Sequence, residues 1–447
     1  MTKATYALLS LGCPKNLVDS ECMAGLLGLE GYRLVADPAG ADFVVINTCG
    51  FIGDARKESY GAIDEMLKLK KRGLLRGVIV AGCLAERDRQ HLLKRYPQVD
   101  QLIGVFARDE IAAAAGRLLA GPAGQQMHFR PAPGCALPDA NRLRLTPRHL
   151  AFLKIAEGCN RLCSFCTIPR MRGPYVSKPI EQVLAEAEQL AADGVRELIL
   201  IAQDTSFYGI DLYGRPRLAE LLRRLDRLRS LAWIRVMYLY PMFISDELID
   251  VLASAEKIVP YLDLPLQHIN DAVLRQMRRG IDRAETERLI DRLRQRVAGL
   301  VLRTTLLVGF PGETDEQFDE LLQFVRQRRF ERLGAFCYSR EPGTVAETLD
   351  GQVSEPVKQS RRDRLLAAQQ QLAFAYNQQQ VGRQTDVLID RRIPDEPNAY
   401  LGRTYADAPE IDGVVYVTGE NLSAGQIVPC EIVAAWGYDL IGSSLSR

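Results

Sequence analysis

Six apolar, β-type runs alternate with helical stretches between residues 151 and 339, at 152–156, 197–202, 233–238, 261–265, 302–308 and 332–338. Such alternation makes each helix a crossover between parallel strands, so a parallel sheet covered by helices is expected. Leu218, Leu221, Leu222, Leu225 and Leu228 share one helical face, as a covering helix requires. Six βα units are fewer than the eight of a closed barrel, which predicts a partial barrel.

A shorter alternating pattern precedes this run. Strand readings at 6–12, 43–47 (FVVIN), 77–81 (GVIVA) and 101–105 are separated by helices near 18–30 and 55–71. This βαβαβ order predicts another parallel sheet. Residues 121–149 hold Pro122, Pro131, Pro133, Pro138 and Pro147 with little periodicity and read as a linker. A basic, polar helix near 357–380 leads to short β-type runs at 386–389, 414–417 and 427–433, punctuated by Gly and Pro. The expected class is α/β: an N-terminal parallel-sheet domain (1–120), a linker (121–148), a central partial (βα)6 barrel (149–377) and a small antiparallel β-barrel (378–447).

The chain has ten cysteines among 447 residues. The apolar run near 78–85 is the longest and falls well short of the ~20 residues that span a bilayer. The start, one lysine and a short apolar stretch, makes a poor signal peptide. A cytoplasmic chain is expected, in which disulfides are rare and metal or redox chemistry is the first question for the thiols. The formal net charge of +1 argues against nucleic-acid binding through bulk charge.

Cys159, Cys163 and Cys166 form CxxxCxxC directly after the first barrel strand. Three thiolates at this spacing suit an iron–sulfur cluster with one iron left open, at the strand ends where barrel chemistry gathers. A zinc site or three unrelated buried thiols are the other readings. This loop, with Phe165 before its last cysteine, resembles the radical S-adenosylmethionine superfamily. The resemblance implies that the open iron chelates S-adenosylmethionine and that one electron releases a 5′-deoxyadenosyl radical.

Cys13, Cys49 and Cys83 end separate predicted strands in SLGC, INTC and VAGC. Strand ends of a parallel sheet share one edge, so the three can meet there as a second ligand set; three independent core thiols are the alternative. SLGCPKNLVDSE, INTCGFI and AGCLAER are similar to the amino-terminal domain of the methylthiotransferases, and the tail to their substrate-binding TRAM domain. This implies two [4Fe-4S] clusters and two S-adenosylmethionine molecules per product, with an electron donor required. Cys22, Cys135, Cys337 and Cys430 match no ligand pattern.

Further strand ends are candidates for holding S-adenosylmethionine. Gln203, Asp204 and Thr205 end the second barrel strand, where the superfamily contacts the cofactor's amino group; a helix cap explains Asp and Thr equally well. Arg235 suits the cofactor carboxylate or an internal ion pair. Gln267 and His268 end the fourth strand. Gly309, in LVGFPGET, suits packing against adenine or a plain turn.

LGCPKNLVDSE, IPRMRGPYVSKP, DLPLQHIND and GAFCYSREPGT resemble the methylthiotransferase branch that modifies an aspartate β-carbon of ribosomal protein S-twelve. The branch acting on adenosine in transfer RNA tends to show a GCQMN-type opening. The tail, 378–447, has ten acidic residues against five arginines and no lysine. That charge of −5 suits a basic protein partner better than phosphates, or marks a plain solvated surface. Arg170 and Arg172 follow the cluster loop and are either guides for an anion or solvent-facing. A transfer-RNA enzyme is the second reading. A redox-only iron–sulfur protein is the third, weakened because electron carriers keep their irons fully ligated.

Overall fold

The computed structural model describes residues 3–121 and 124–445; Met1, Pro122 and Arg447, used in the sequence reading, lie outside them. The first sheet is built from β1 (Ala4–Ser10), β2 (Tyr32–Leu34), β3 (Phe43–Thr48), β4 (Gly77–Gly82), β5 (Gln101–Ile103) and β6 (Gln126–His128). Its order is β2-β1-β3-β4-β5-β6, and every pairing is parallel. Strands β3 and β4 are buried at every position, which explains their unbroken apolar sequence. The order reverses between β1 and β3, so their crossovers diverge and leave a crevice at the carboxyl edge.

The segment read as a linker does more than connect. Its β6 extends the first sheet beside β5, and Asp139 is buried against Arg108 and Lys178. Proline density marked irregular backbone correctly, but it said nothing about burial.

The central sheet contains β7 (Leu150–Lys154), β10 (Glu197–Ile201), β11 (Trp233–Val236), β12 (Ile258–Asp263), β13 (Val301–Val308) and β14 (Arg332–Cys337). A small ribbon, β8 (Ala156–Glu157) with β9 (Val176–Ser177), brackets the loop after β7. The six strands are parallel in the order β14-β13-β12-β11-β10-β7. Leu218, Leu221, Leu222 and Leu225 all lie in the core between this sheet and its outer helices.

A six-stranded arc cannot close on its own side chains, and its lumen is filled from both ends. Val18 and Cys22, from the helix Pro14–Leu29, pack with Phe152, Ile199 and Trp233; Leu388, Ala406 and Ala408 of the tail enter the same cluster. The tail is a closed barrel of β15 (Gln384–Arg392), β16 (Ala399–Arg403), β17 (Val415–Thr418), β18 (Ile427–Trp436) and β19 (Asp439–Ser444). Its pairings are antiparallel except β17 with β19. Cys22 and Cys430 are buried in these cores and Cys135 is exposed.

Among the described residues no helix is long and apolar enough to cross a membrane.

Candidate active site

Cys13, Cys49 and Cys83 follow β1, β3 and β4, which are adjacent in the sheet, so its topology places all three at one edge. A Cβ on Gly12 (φ +89°) would lie 2.7 Å from Cys49 Cβ and 3.0 Å from its Sγ. Only glycine lets these two strand ends approach so closely. Cys13 is the N-cap residue of Pro14–Leu29, whose dipole favours negative charge there. Burial pushes the Cys83 thiol up to about 12 and raises that of Cys49. Without a cation these groups stay protonated; thiolate formation requires compensating charge.

The loop Cys159–Cys166 leaves β8 at the carboxyl end of the central sheet. Cys159 donates its N–H to the Gly173 carbonyl and Cys166 to that of Cys163. Ser164 is tied to Met277 and Gln276 carbonyls, and Phe165 packs edge-on against Phe310. Donors surround the sulfurs: Arg161 N–H lies 3.4 Å from Cys159 Sγ, Ile168 N–H 3.5 Å from Cys166 Sγ, and Arg279 Nη1 3.6 Å from Cys163 Sγ. Burial drives Cys159 up to about 11 and Cys166 to about 12. Three thiols on one short loop, each with an N–H donor to its sulfur, fit a multi-iron cluster. Among the described residues no three His, Cys, Asp or Glu side chains come close enough for one metal ion.

Arg172 joins the two triads. It is 2% exposed, and its guanidinium reaches Cys83 Sγ (3.3 Å), Glu157 (3.1 Å), Asn16 Oδ1 (3.1 Å) and Asp19 (2.9 Å). Neither sequence reading of Arg172 survives: it faces no solvent and has no free donor edge for an incoming anion. Arg170 is exposed. Around Arg172, Lys154 binds Asp19 and Glu157, and Arg108 binds Asp19 and Asp139. Against the upward push of burial, Arg172 and Lys154 hold the Glu157 carboxyl far below the usual range. On the opposite side, Glu341 pairs with Arg87 (2.7 Å) and Arg56 (3.2 Å), and Ser339 accepts the Gly53 N–H. The Cys49 loop is thereby held to the segment after β14.

The residues expected to hold S-adenosylmethionine divide. Gln203 donates to Glu157 and leaves its buried Oε1 without a partner. Gln267 (φ +73°) forms an isolated bridge with Leu306 and lies at the same end of the sheet. Asp204 instead caps the turn at Phe207 and binds Arg161, while the Thr205 hydroxyl donates to the Met237 carbonyl. Arg235 is a correction: it points into the lumen, fully buried, bound to Glu197 (2.8 Å) and the Tyr405 carbonyl. Its strand position was legible, but the tail residue that meets it was not. Gly309 (φ +72°) makes a turn whose N–H is held by Glu313, and a Cβ there would strike Lys358 at 2.3 Å. It packs on a helix and offers no open face to adenine.

His268 is fully enclosed, with Nδ1 accepting the Asn270 N–H. Burial, and secondarily Arg361, push it down to about 3. The unfolded chain therefore binds a proton that the folded chain refuses, and the stabilisation present above about pH 6.5 is lost as pH falls toward 3. His268→Gln is expected to flatten the slope of unfolding free energy between pH 5 and 6.5 by up to about 1.4 kcal/mol per unit. Urea titrations at stepped pH measure it; an unchanged slope assigns the acid sensitivity elsewhere.

Part of the tail's acidic charge is internal. Asp407 binds Arg332, Asp412 accepts from Tyr261, and Asp390 pairs with His149 and Arg403, all at the junction with the central sheet. These three carboxylates are not available to a partner. Exposed Asp386, Asp395, Glu396, Glu410, Glu420 and Glu431 still outnumber exposed Arg383, Arg391 and Arg392.

Three family models match the chain: the radical SAM superfamily over 153–325, the uncharacterized protein family UPF0004 over 5–104, and the TRAM domain over 381–444. A ribosomal protein uS12 methylthiotransferase RimO from Lachnoclostridium phytofermentans is 45% identical over 437 residues, covering 98% of this chain and 99% of that one. The protein of that name from Clostridioides difficile is 42% identical over 440 residues, 98% of both. Among solved structures, the radical S-adenosylmethionine methyltransferase TsrM from Kitasatospora setae, with cobalamin and a [4Fe-4S] cluster bound, superposes with a TM-score of 0.54. It is 17% identical and covers 77% of each chain, a likeness of fold alone.

Proposed function

The chain belongs to the RimO family of radical S-adenosylmethionine methylthiotransferases, and from that premise we propose that it inserts a methylthio group at the β-carbon of an aspartate of ribosomal protein uS12. In this reading Cys159, Cys163 and Cys166 hold one [4Fe-4S] cluster, and Cys13, Cys49 and Cys83 a second. Two S-adenosylmethionine molecules are consumed per product, and a cytoplasmic reductant supplies the electron. The observation that carries the reading is Arg172, which reaches from just beyond the cluster loop to Cys83 Sγ and so ties the segment of one cysteine triad to a member of the other.

Bound clusters and S-adenosylmethionine supply radical chemistry at an unactivated carbon, which acid–base side chains cannot. The chain's own groups prepare the place for it. Arg279 and the N–H groups of Arg161 and Ile168 stabilise negative sulfur. Gln203 keeps a buried Oε1 without a protein partner, which suits a donor such as an amino group. The Arg172 network and the Glu341 pairs fix the sheet edge against the central sheet, so that the distance between the triads is set before substrate arrives. The tail's exposed carboxylates suit a basic protein.

Incubating anaerobically reconstituted protein with S-adenosylmethionine, a reductant and a peptide spanning the uS12 aspartate is expected to add the mass of one methylthio group to that residue. If the mass appears only on transfer RNA, the substrate assignment passes to the nucleic-acid branch.

A further inference from the structure

Four lysines are buried among the described residues: Lys15, Lys154, Lys178 and Lys358. Three have carboxylate partners: Lys154 on Asp19 and Glu157, Lys178 on Asp139 and Glu186, and Lys358 on Glu355. Lys15 differs. It is 7% exposed, and its one close partner is the face of Tyr238, 3.0 Å from Nζ to the ring centroid. An aromatic face attracts a cation but leaves its N–H donors unfilled. Donors left open on an ammonium whose stem is buried suit an acceptor that arrives later.

The nearby acids cannot fill this role. Asp263 already accepts from Arg303 and from the Tyr238 N–H. Glu157 is occupied by Lys154, Arg172 and Gln203. Tyr238 itself stands at φ +61°, a conformation that side-chain-bearing residues rarely adopt and that concentrates at functional sites. Its carbonyl accepts the Thr205 N–H, which places it at the carboxyl ends of the central strands. Lys15 therefore spans the junction: its backbone follows Cys13 at the first sheet's edge, and its side chain lies over the end of the second sheet.

We propose that Lys15 is the carboxylate anchor of the substrate, its ammonium receiving the side-chain carboxylate of the target aspartate between the two cysteine triads. The assignment deepens the function proposed above and rests on an aspartyl substrate. The same chemistry would suit the carboxylate of S-adenosylmethionine, but that cofactor is assigned to the loop Cys159–Cys166, whereas Lys15 follows Cys13 of the opposite triad.

The test uses reconstituted holoprotein and two fluorescein-labelled peptides spanning the uS12 site, one with the aspartate and one with asparagine in its place. By fluorescence anisotropy the unmodified protein is expected to bind the aspartyl peptide at least tenfold more tightly. Lys15→Met should abolish that preference while keeping its iron content and its peptide-independent cleavage of S-adenosylmethionine. A Lys15→Met protein that retains the preference overturns the anchor. One that loses S-adenosylmethionine cleavage but keeps the preference moves the ammonium to the cofactor and also overturns it. Absence of any preference in the unmodified protein removes the aspartyl substrate, and the anchor with it, whatever Lys15→Met does.

Discussion

Replacing Cys159, Cys163 and Cys166 together with alanine is expected to lower bound iron from about eight to about four per chain, two cubane clusters becoming one, and to abolish S-adenosylmethionine cleavage. These three are the cysteines of the loop, and alanine at all three leaves it no thiolate. The donors around these sulfurs, Arg279 and two backbone N–H groups, stabilise a thiolate but cannot replace one. The complementary replacement of Cys13, Cys49 and Cys83 should also halve the iron. It should leave cleavage of S-adenosylmethionine in place and eliminate methylthio insertion. Iron analysis, visible absorbance and quantification of 5′-deoxyadenosine separate the two cases. A count near four in the unmodified protein would remove the second cluster, and cleavage persisting without the loop cysteines would remove their assigned role.

The second large effect is expected at Arg172. Arg172→Ala leaves Glu157 and Asp19 buried with one cation fewer and strips Cys83 of its guanidinium donor. Removing one partner from a buried ionic network costs about 3–5 kcal/mol, because the remaining charge is neither solvated nor paired. Denaturation by urea should show a loss of that size. The iron held by the Cys13, Cys49 and Cys83 set should become more easily extracted by chelator than the iron of the loop. Arg172→Lys keeps the charge but cannot reach four partners with one planar fork, so an intermediate loss is expected. A loss below about 1 kcal/mol in Arg172→Ala, the size of an exposed pair, would show that the network tolerates its removal.

The elements that the sequence showed well are those governed by local pattern. All six central runs became strands, because parallel strands covered by helices need largely apolar sequence, as in residues 198–201 of β10. The two cysteine triads were visible for different reasons. CxxxCxxC is a local spacing, whereas Cys13, Cys49 and Cys83 were linked only through the rule that parallel strands share a carboxyl edge. That rule also identified strand ends such as Arg235 and Gly309, which turned out to be committed to the lumen and to a helix. Strand position narrows where a residue lies, but its partner comes from another part of the chain.

The unseen parts were those made by long-range contact. Glu157, Arg161, Arg279 and Lys15 carried no pattern of their own. EGC before the cluster loop and the lysine of GCPKN were the available signals, and a single charge in a motif does not reveal whether it is paired. Asp390, Asp407 and Asp412 counted as surface charge in the sequence, yet they lie against the central sheet.

Sequence alone determined the order of the main strands and helices, the two cysteine triads as candidates, and the family, because periodicity and motif spacing are properties of neighbouring residues. Tertiary structure alone decided which charges are paired: Arg172 bound on every side, Arg235 turned inward and Lys15 without a carboxylate acceptor among the described residues. Pairing depends on desolvation and on groups tens to hundreds of residues apart, and neither is written in a local stretch of chain.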